Sequence, residues 1–188
     1  MLPEFLIQAA TQVKGALTRQ GQRLVLAESC TGGLVANLLT SLPGISEYFC
    51  GSAVVYRWDT KMKWLGVKPE TLEEYTDVSI ETACEMALGV LRQTPEASVA
   101  ASITGHLGPD APQQQDGVIC IAVAMRTVPG FDSPPELFTV KTFQCDALME
   151  EMPLDIQTGA DFTLRQHRQL AAARQMLNLI LSALEPSA

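Results

Sequence analysis

The sequence is poor in the residues from which metal, redox and nucleic-acid sites are built. It has two histidines, His106 and His167, and five widely spaced cysteines, Cys30, Cys50, Cys84, Cys120 and Cys145. There is no C-x-x-C pair, so a zinc site is not expected, and the odd number of thiols reads as reduced cysteine in a cytoplasm. Basic residues are scarce: 13 Lys and Arg stand against 21 Asp and Glu, a net charge of -8. That balance excludes general affinity for nucleic acid or an anionic membrane, and confines any anionic small molecule to a locally basic pocket. No apolar run approaches the roughly 20 residues of a membrane span. The start, Met1 to Phe5, lacks the basic region and apolar core of a signal peptide.

What is present is the composition of a globular protein, with 188 residues, 47% hydrophobic and 18% charged. One domain spanning residues 1–188 is expected. Helical spacing covers 4–19, and Gly21 ends it. Leu24 to Ala27 is too short for a helix and suits a buried strand. A helix is expected over Leu34 to Leu42, strands over Ser52 to Tyr56, Val99 to Ile103 and Val118 to Met125, and an edge strand over Leu137 to Phe143. Shorter helices are expected from Thr60 to Leu65 and from Pro69 to Tyr75. Ser79 is a good N-cap for a helix to about Arg92. Thr127 to Pro135 carries turn residues, 146–162 resists assignment, and a last helix runs from about Thr163 to Leu184. This alternation predicts an α/β fold: a three-layer α/β/α sandwich around a mostly parallel, mixed sheet of about five strands.

In such sheets ligands bind beyond the carboxyl ends of the strands. Three loops there hold the unusual residues. Ala27-Glu28-Ser29-Cys30-Thr31-Gly32-Gly33 joins a strand to a helix. Its glycines allow close backbone approach, and helix-terminal N–H groups can hold an anion or a developing oxyanion. A tight capping turn is the competing reading, and the segment is neither a phosphate loop nor a nucleophile elbow. Tyr56 to Lys61 follows the second strand. Thr104-Gly105-His106-Leu107-Gly108-Pro109 follows the third. Arg165 and Arg168 share a face of the last helix, either as a solvated face or as a clamp on a phosphate.

Together these segments resemble the C-terminal domain family of the competence/damage-inducible protein CinA. The resemblance covers about residues 4–125 and resumes near 163. It rests on the unbroken Ala27 to Gly33 motif, on Leu42-Pro43-Gly44-Ile45-Ser46 with Phe49 and Gly51, and on Leu65-Gly66-Val67. Stand-alone members of the family are nicotinamide-nucleotide amidases. The resemblance therefore implies hydrolysis of nicotinamide mononucleotide to nicotinate mononucleotide and ammonia by a Ser/Lys pair, with no cofactor or metal. On it Ser29 is the nucleophile and Lys61 the base. Tyr56, Thr104 and Glu28 support them. Thr31, Gly32, Gly33 and Gly105 contact substrate, and Arg168 holds its phosphate. The partner implied is a small anionic nucleotide, in a stand-alone domain; a homo-oligomer is the expected assembly.

Departures from the family pattern are concentrated in the walls of this site. Tyr56-Arg57-Trp58 stands where the family has Tyr-Ser-Asn, and Gly105-His106-Leu107-Gly108-Pro109 where it has Gly-Ile-Ala-Gly-Pro. Asp110-Ala111-Pro112 and the run Gln113 to Gln115 replace further family elements. Leu164 replaces an arginine, and 146–162 reads as an insertion. A rival reading follows: a catalytically altered or inactive relative that binds a nucleotide or a protein partner. A serine–lysine pair also sets a physical demand. At the free-lysine pKa only about one amine in 2,500 is neutral at pH 7. Lys61 must therefore be desolvated or placed beside a second cation, Arg57 or Arg168.

Overall fold

A computed structural model describes residues 2–112, 114–126, 134–153, 156 and 162–185. The expectations for Gln113, for 127–133 and for part of 146–162 lie outside the described residues. The elements are α1 (Glu4–Gln20), β1 (Leu24–Glu28), α2 (Leu34–Thr40), a short 3-10 turn (Ile45–Glu47), β2 (Phe49–Val54) and α3 (Trp58–Leu65). There follow α4 (Pro69–Tyr75), α5 (Ile80–Gln93), β3 (Val99–Gly105), β4 (Val118–Met125), β5 (Glu136–Gln144), α6 (Cys145–Glu150) and a long α7 (Leu164–Leu184).

The sheet order is β2-β1-β3-β4-β5. β1 pairs in parallel with both β2 and β3, whereas β4 is antiparallel to β3 and to β5. Only β4 among the described strands runs against the others, which is the mixed, mostly parallel sheet expected. Glu28 at the end of β1 lies opposite Val54 of β2 and Ile103 of β3. The register therefore brings the three chemically unusual loops to one edge.

Alternation along the central strands sorts side chains into two cores. Leu24, Leu26, Val99, Ala101, Ile103, Ile119, Ile121 and Val123 face α1, α2 and α7. Val25, Ala27, Ala100, Cys120, Ala122 and Ala124 face α3, α4 and α5. The second face is built of small residues, so α5 lies close to the sheet, and the Ser102 hydroxyl reaches the Ala83 carbonyl at 2.5 Å.

Boundaries differ from expectation for local reasons. β2 ends at Val54, because the Val55 amide makes the last bond to the Glu28 carbonyl and Tyr56 then turns away. α3 starts two residues early, where the Thr60 hydroxyl accepts the Arg57 amide. α2 stops at Thr40, with Ser41 closing it through its hydroxyl on the Leu38 carbonyl. β3 extends to Gly105, paired with Ile119. Cys145–Glu150, left unassigned by the sequence, forms α6, and Cys145 and Met152 are in the first core.

One glycine sets the distance between α3 and α5. A Cβ on Gly89 would lie 1.9 Å from the Leu65 carbonyl oxygen. Helix propensity favours alanine by up to about 1 kcal/mol, but backbone cannot yield at that distance. Gly89→Ala is expected to lower stability by about 1–3 kcal/mol net, as overpacking does, read from the urea midpoint.

Candidate active site

The first of the three loops is held by one carboxylate. Glu28 is fully buried. Its Oε2 accepts the Thr31 hydroxyl (2.8 Å) and the Gly33 and Val35 amides (3.2 and 3.1 Å), and its Oε1 accepts the Ala36 amide (3.0 Å) and the Ser52 hydroxyl (3.1 Å). The first turn of α2, whose own N-cap is a glycine, thus receives its cap from the strand before it. Gly32 and Gly33 both take positive φ, 63° and 93°, which lets the turn close without a Cβ penalty.

This turn presents Ser29, 5% exposed, to Lys61, 0% exposed, on α3. Lys61 Nζ lies 2.9 Å from Ser29 Oγ, 3.1 Å from the Val55 carbonyl and 3.4 Å from the Tyr56 carbonyl. A neutral amine has two N–H donors and one lone pair. With both donors on the two carbonyls, a neutral Lys61 would present that lone pair to the serine hydroxyl. Burial lowers the Lys61 pKa, while Asp77 and then Cys30 oppose that effect. The desolvation comes from the protein interior, and the second cation that the sequence suggested, Arg57 or Arg168, is not what lowers it. Cys30 is no rival nucleophile, since burial first and Cys145 next push its thiol far above the ordinary range.

The other expected residues take distinct positions. Tyr56 serves Lys61 through its backbone carbonyl, and its exposed ring hydroxyl receives Arg165 at 3.0 Å. Thr104 is buried and donates to the Asp77 carbonyl at 2.5 Å, fixing the loop that brings Asp77 toward Lys61. Gly105 has a packing reason: a Cβ there would meet Ile119 Cγ2 at 2.6 Å and the Val118 carbonyl at 2.8 Å. Thr31 and Gly33 spend a hydroxyl and an amide on Glu28, and the Gly32 amide bonds the Ser29 carbonyl. Of the amides from Thr31 to Gly33, that of Thr31 alone has no partner among the described residues.

Arg168 is 3% exposed and lies between two carboxylates. Its Nη1 and Nη2 meet Asp116 at 2.7 and 3.1 Å, and its Nε and Nη2 meet Asp146 at 2.8 and 2.9 Å. Those two partners raise its pKa. Arg165, one turn earlier, bonds the Gly108 carbonyl at 2.5 Å and Tyr56 Oη. Gln169 reaches the Cys30 carbonyl at 3.1 Å. α7 therefore touches all three loops. A cavity of about 860 Å³ opens there, lined by Leu107, Pro109, Ala111, Leu164, Arg165 and Arg168 among others. Ser52, Asp77, Asp116, Asp146 and Gln169 were not readable from sequence, because each acts across the fold on a partner at least 16 residues away.

The CinA C-terminal domain profile matches residues 6–133. The chain belongs to the CinA C-terminal domain family. A CinA-like protein of Desulforapulum autotrophicum is 45% identical over 122 residues, 64% of this chain and 28% of that protein. A CinA-like protein of Syntrophomonas wolfei is 46% identical over 114 residues, 58% of this chain and 27% of that protein. The chain thus spans between a quarter and a third of the length of these relatives. The crystal structure of competence/damage inducible protein CihA from Agrobacterium tumefaciens superposes with a TM-score of 0.75 at 27% identity, covering 97% of this chain and 98% of that one. The three-layer architecture is that of solved CinA-superfamily proteins. Asp146 and all of α7 lie beyond the matched residues 6–133, so the profile match leaves out the partners that α7 gives to the loops. No helix among the described residues is long and apolar enough to cross a membrane.

Glu28→Ala would leave five donors without their acceptor, two of them buried and three part-buried. It is expected to cost at least about 3 kcal/mol of stability, measured by denaturant unfolding. Glu28→Gln keeps the shape and one acceptor oxygen, and is expected to fall between the two.

Proposed function

We propose that this chain is an amidohydrolase that cleaves a linear carboxamide, with Ser29 as nucleophile and Lys61 as general base. Nicotinamide mononucleotide is the substrate to which the family resemblance points. The observation that carries the reading is the 2.9 Å contact between a fully buried lysine amine and a serine hydroxyl at the sheet's carboxyl edge.

Serine is a weak nucleophile until a base takes its proton. Neutral Lys61 accepts that proton as Ser29 Oγ bonds to the amide carbon. Negative charge then gathers on the former carbonyl oxygen. The Thr31 amide is the donor left for it in the turn, where a preorganised N–H does more than it would in water. Collapse of the tetrahedral adduct breaks the C–N bond, and the Lys61 ammonium returns its proton to the departing ammonia. A water molecule then attacks the acyl-serine with Lys61 again as base, releasing the carboxylate and restoring Ser29. The Val55 and Tyr56 carbonyls hold the amine in place through both steps.

The native chain is expected to release ammonia from nicotinamide mononucleotide. Ser29→Ala and Lys61→Ala should each lower kcat/KM by at least about 1,000-fold, as loss of a nucleophile or its base does. Release by folded Ser29→Ala at the native rate would reject the mechanism. Absence of release by the native chain would leave a nucleotide- or partner-binding relative.

The pH profile is a separate check. Lys61 works only when deprotonated, so it is inactive below its folded pKa and active above it. kcat/KM should rise with pH along one limb and level off. Because burial lowers the Lys61 pKa, the midpoint should fall below that of an ordinary lysine. A profile flat across that range would remove Lys61 from the role of base.

A further inference from the structure

The two arginines at the head of α7 differ in one respect that matters for an anionic ligand. Arg168 is already neutralised, since five of its contacts go to Asp116, Asp146 and the Leu107 carbonyl. Its charge is outweighed by two carboxylates, and a Cβ on either Gly108 or Gly117 would press on the guanidinium, at 2.9 and 3.3 Å. The cluster is a packed strut joining the loop after β3, the start of α6 and α7. A phosphate would have to displace a bidentate carboxylate to reach it.

Arg165 is otherwise placed. It is half-buried, lines the same cavity, and its partners among the described residues are neutral: the Gly108 carbonyl and the Tyr56 hydroxyl. Among the described residues no carboxylate contact cancels its charge. It is also tied to the dyad, because the residue whose hydroxyl it holds supplies one of the two carbonyls that orient Lys61. Planar guanidinium N–H groups held by neutral acceptors are pre-organised to receive an anionic oxygen at little entropic cost.

We propose that Arg165, and not Arg168, is the residue that reads an anionic group on the substrate, such as a phosphate monoester, in the cavity between the loop after β3 and the head of α7. The assignment rests on the amidohydrolase reading for its substrate but not for its binding step. Asp110 and Asp116 also line that cavity. Asp116 is committed to Arg168, and that arginine holds its carboxyl below the ordinary range. Arg165 is therefore the cation left to offset Asp110.

The test compares nicotinamide mononucleotide with nicotinamide riboside, which lacks the phosphate. Binding to Ser29→Ala is measured by calorimetry and ammonia release by the native chain. The preference for the mononucleotide over the riboside should collapse by about 10- to 100-fold when Arg165→Ala is added, the loss expected for one charge-assisted contact. Arg165→Lys should restore part of it. Tyr56→Phe, which removes the hydroxyl but keeps the charge, should retain the preference. If Arg165→Ala weakens both ligands alike, its role is to position the Tyr56 loop and the proposal fails. Equal binding of both ligands to the parent protein, or binding of neither, also overturns it. Arg165-dependent binding without ammonia release would uphold the anion site and sink the amidase, whereas release with no Arg165-dependent preference would do the reverse.

Discussion

The site depends on a carboxylate that takes no part in the proposed chemistry. Glu28 ends the central strand β1 with its side chain in the protein interior, where an unpaired charge would be untenable. It is tolerated because five donors surround it, drawn from the Ser29 turn, the first turn of α2 and β2. Those donors are in turn committed by it. The turn cannot open without stripping donors from a buried carboxylate, and α2 cannot fray without losing its cap. Ser29 occupies a fixed point because its neighbour on either side is bound: Glu28 by the network, and Cys30 through Gln169 of α7.

Lys61 presents the opposite problem and is solved differently. A lysine in the core has its charged form penalised, so the burial that costs stability also makes the amine a base. Its position follows from how α3 is held. Leu65, one turn on, is packed under α5 at Gly89, and α5 itself lies close to the sheet over Ala27, Ala100 and Ala122. Small residues on that face of the sheet therefore set where α3 lies, and so the distance from Nζ to Ser29. Burying the Lys61 amine costs stability, and the apolar packing around it offsets that cost.

Most of the architecture was legible in the sequence. The strands β1, β3 and β4 are short apolar runs between punctuating residues, and the alternation with helices leaves few topologies. Ser79 marked α5 through a side-chain cap the structure retains, on the Thr82 amide. The turn motif and Lys61 were legible too, by resemblance, and they meet. Hidden from the sequence were the partners that decide each residue's state. That Arg168 is neutralised depends on Asp116 and Asp146, 52 and 22 residues away. That Thr104, read as a supporting residue, works on Asp77, and that Gly105, read as a substrate contact, is needed for the packing of β4, depends on partners the spacing does not show. Sequence spacing gives the residue type; tertiary pairing gives its charge and access.

The last helix joins these levels. Its lower half is core, with Met176, Leu177 and Ile180 in the layer shared with α1. Its first turns carry Arg165, which reaches the loops after β2 and β3, Arg168, which reaches the loop after β3, and Gln169, which reaches the loop after β1. A helix rigid at one end and bonded to every wall of the site at the other makes those walls move together or not at all. Two cations three residues apart on such a helix, on a protein with a net charge of -8, would repel if both were free. The fold resolves this by cancelling one with Asp116 and Asp146 and leaving the other among neutral acceptors. Two arginines that share one helix face are thereby separated by charge pairing, and the cavity keeps one cation whose partners among the described residues are neutral.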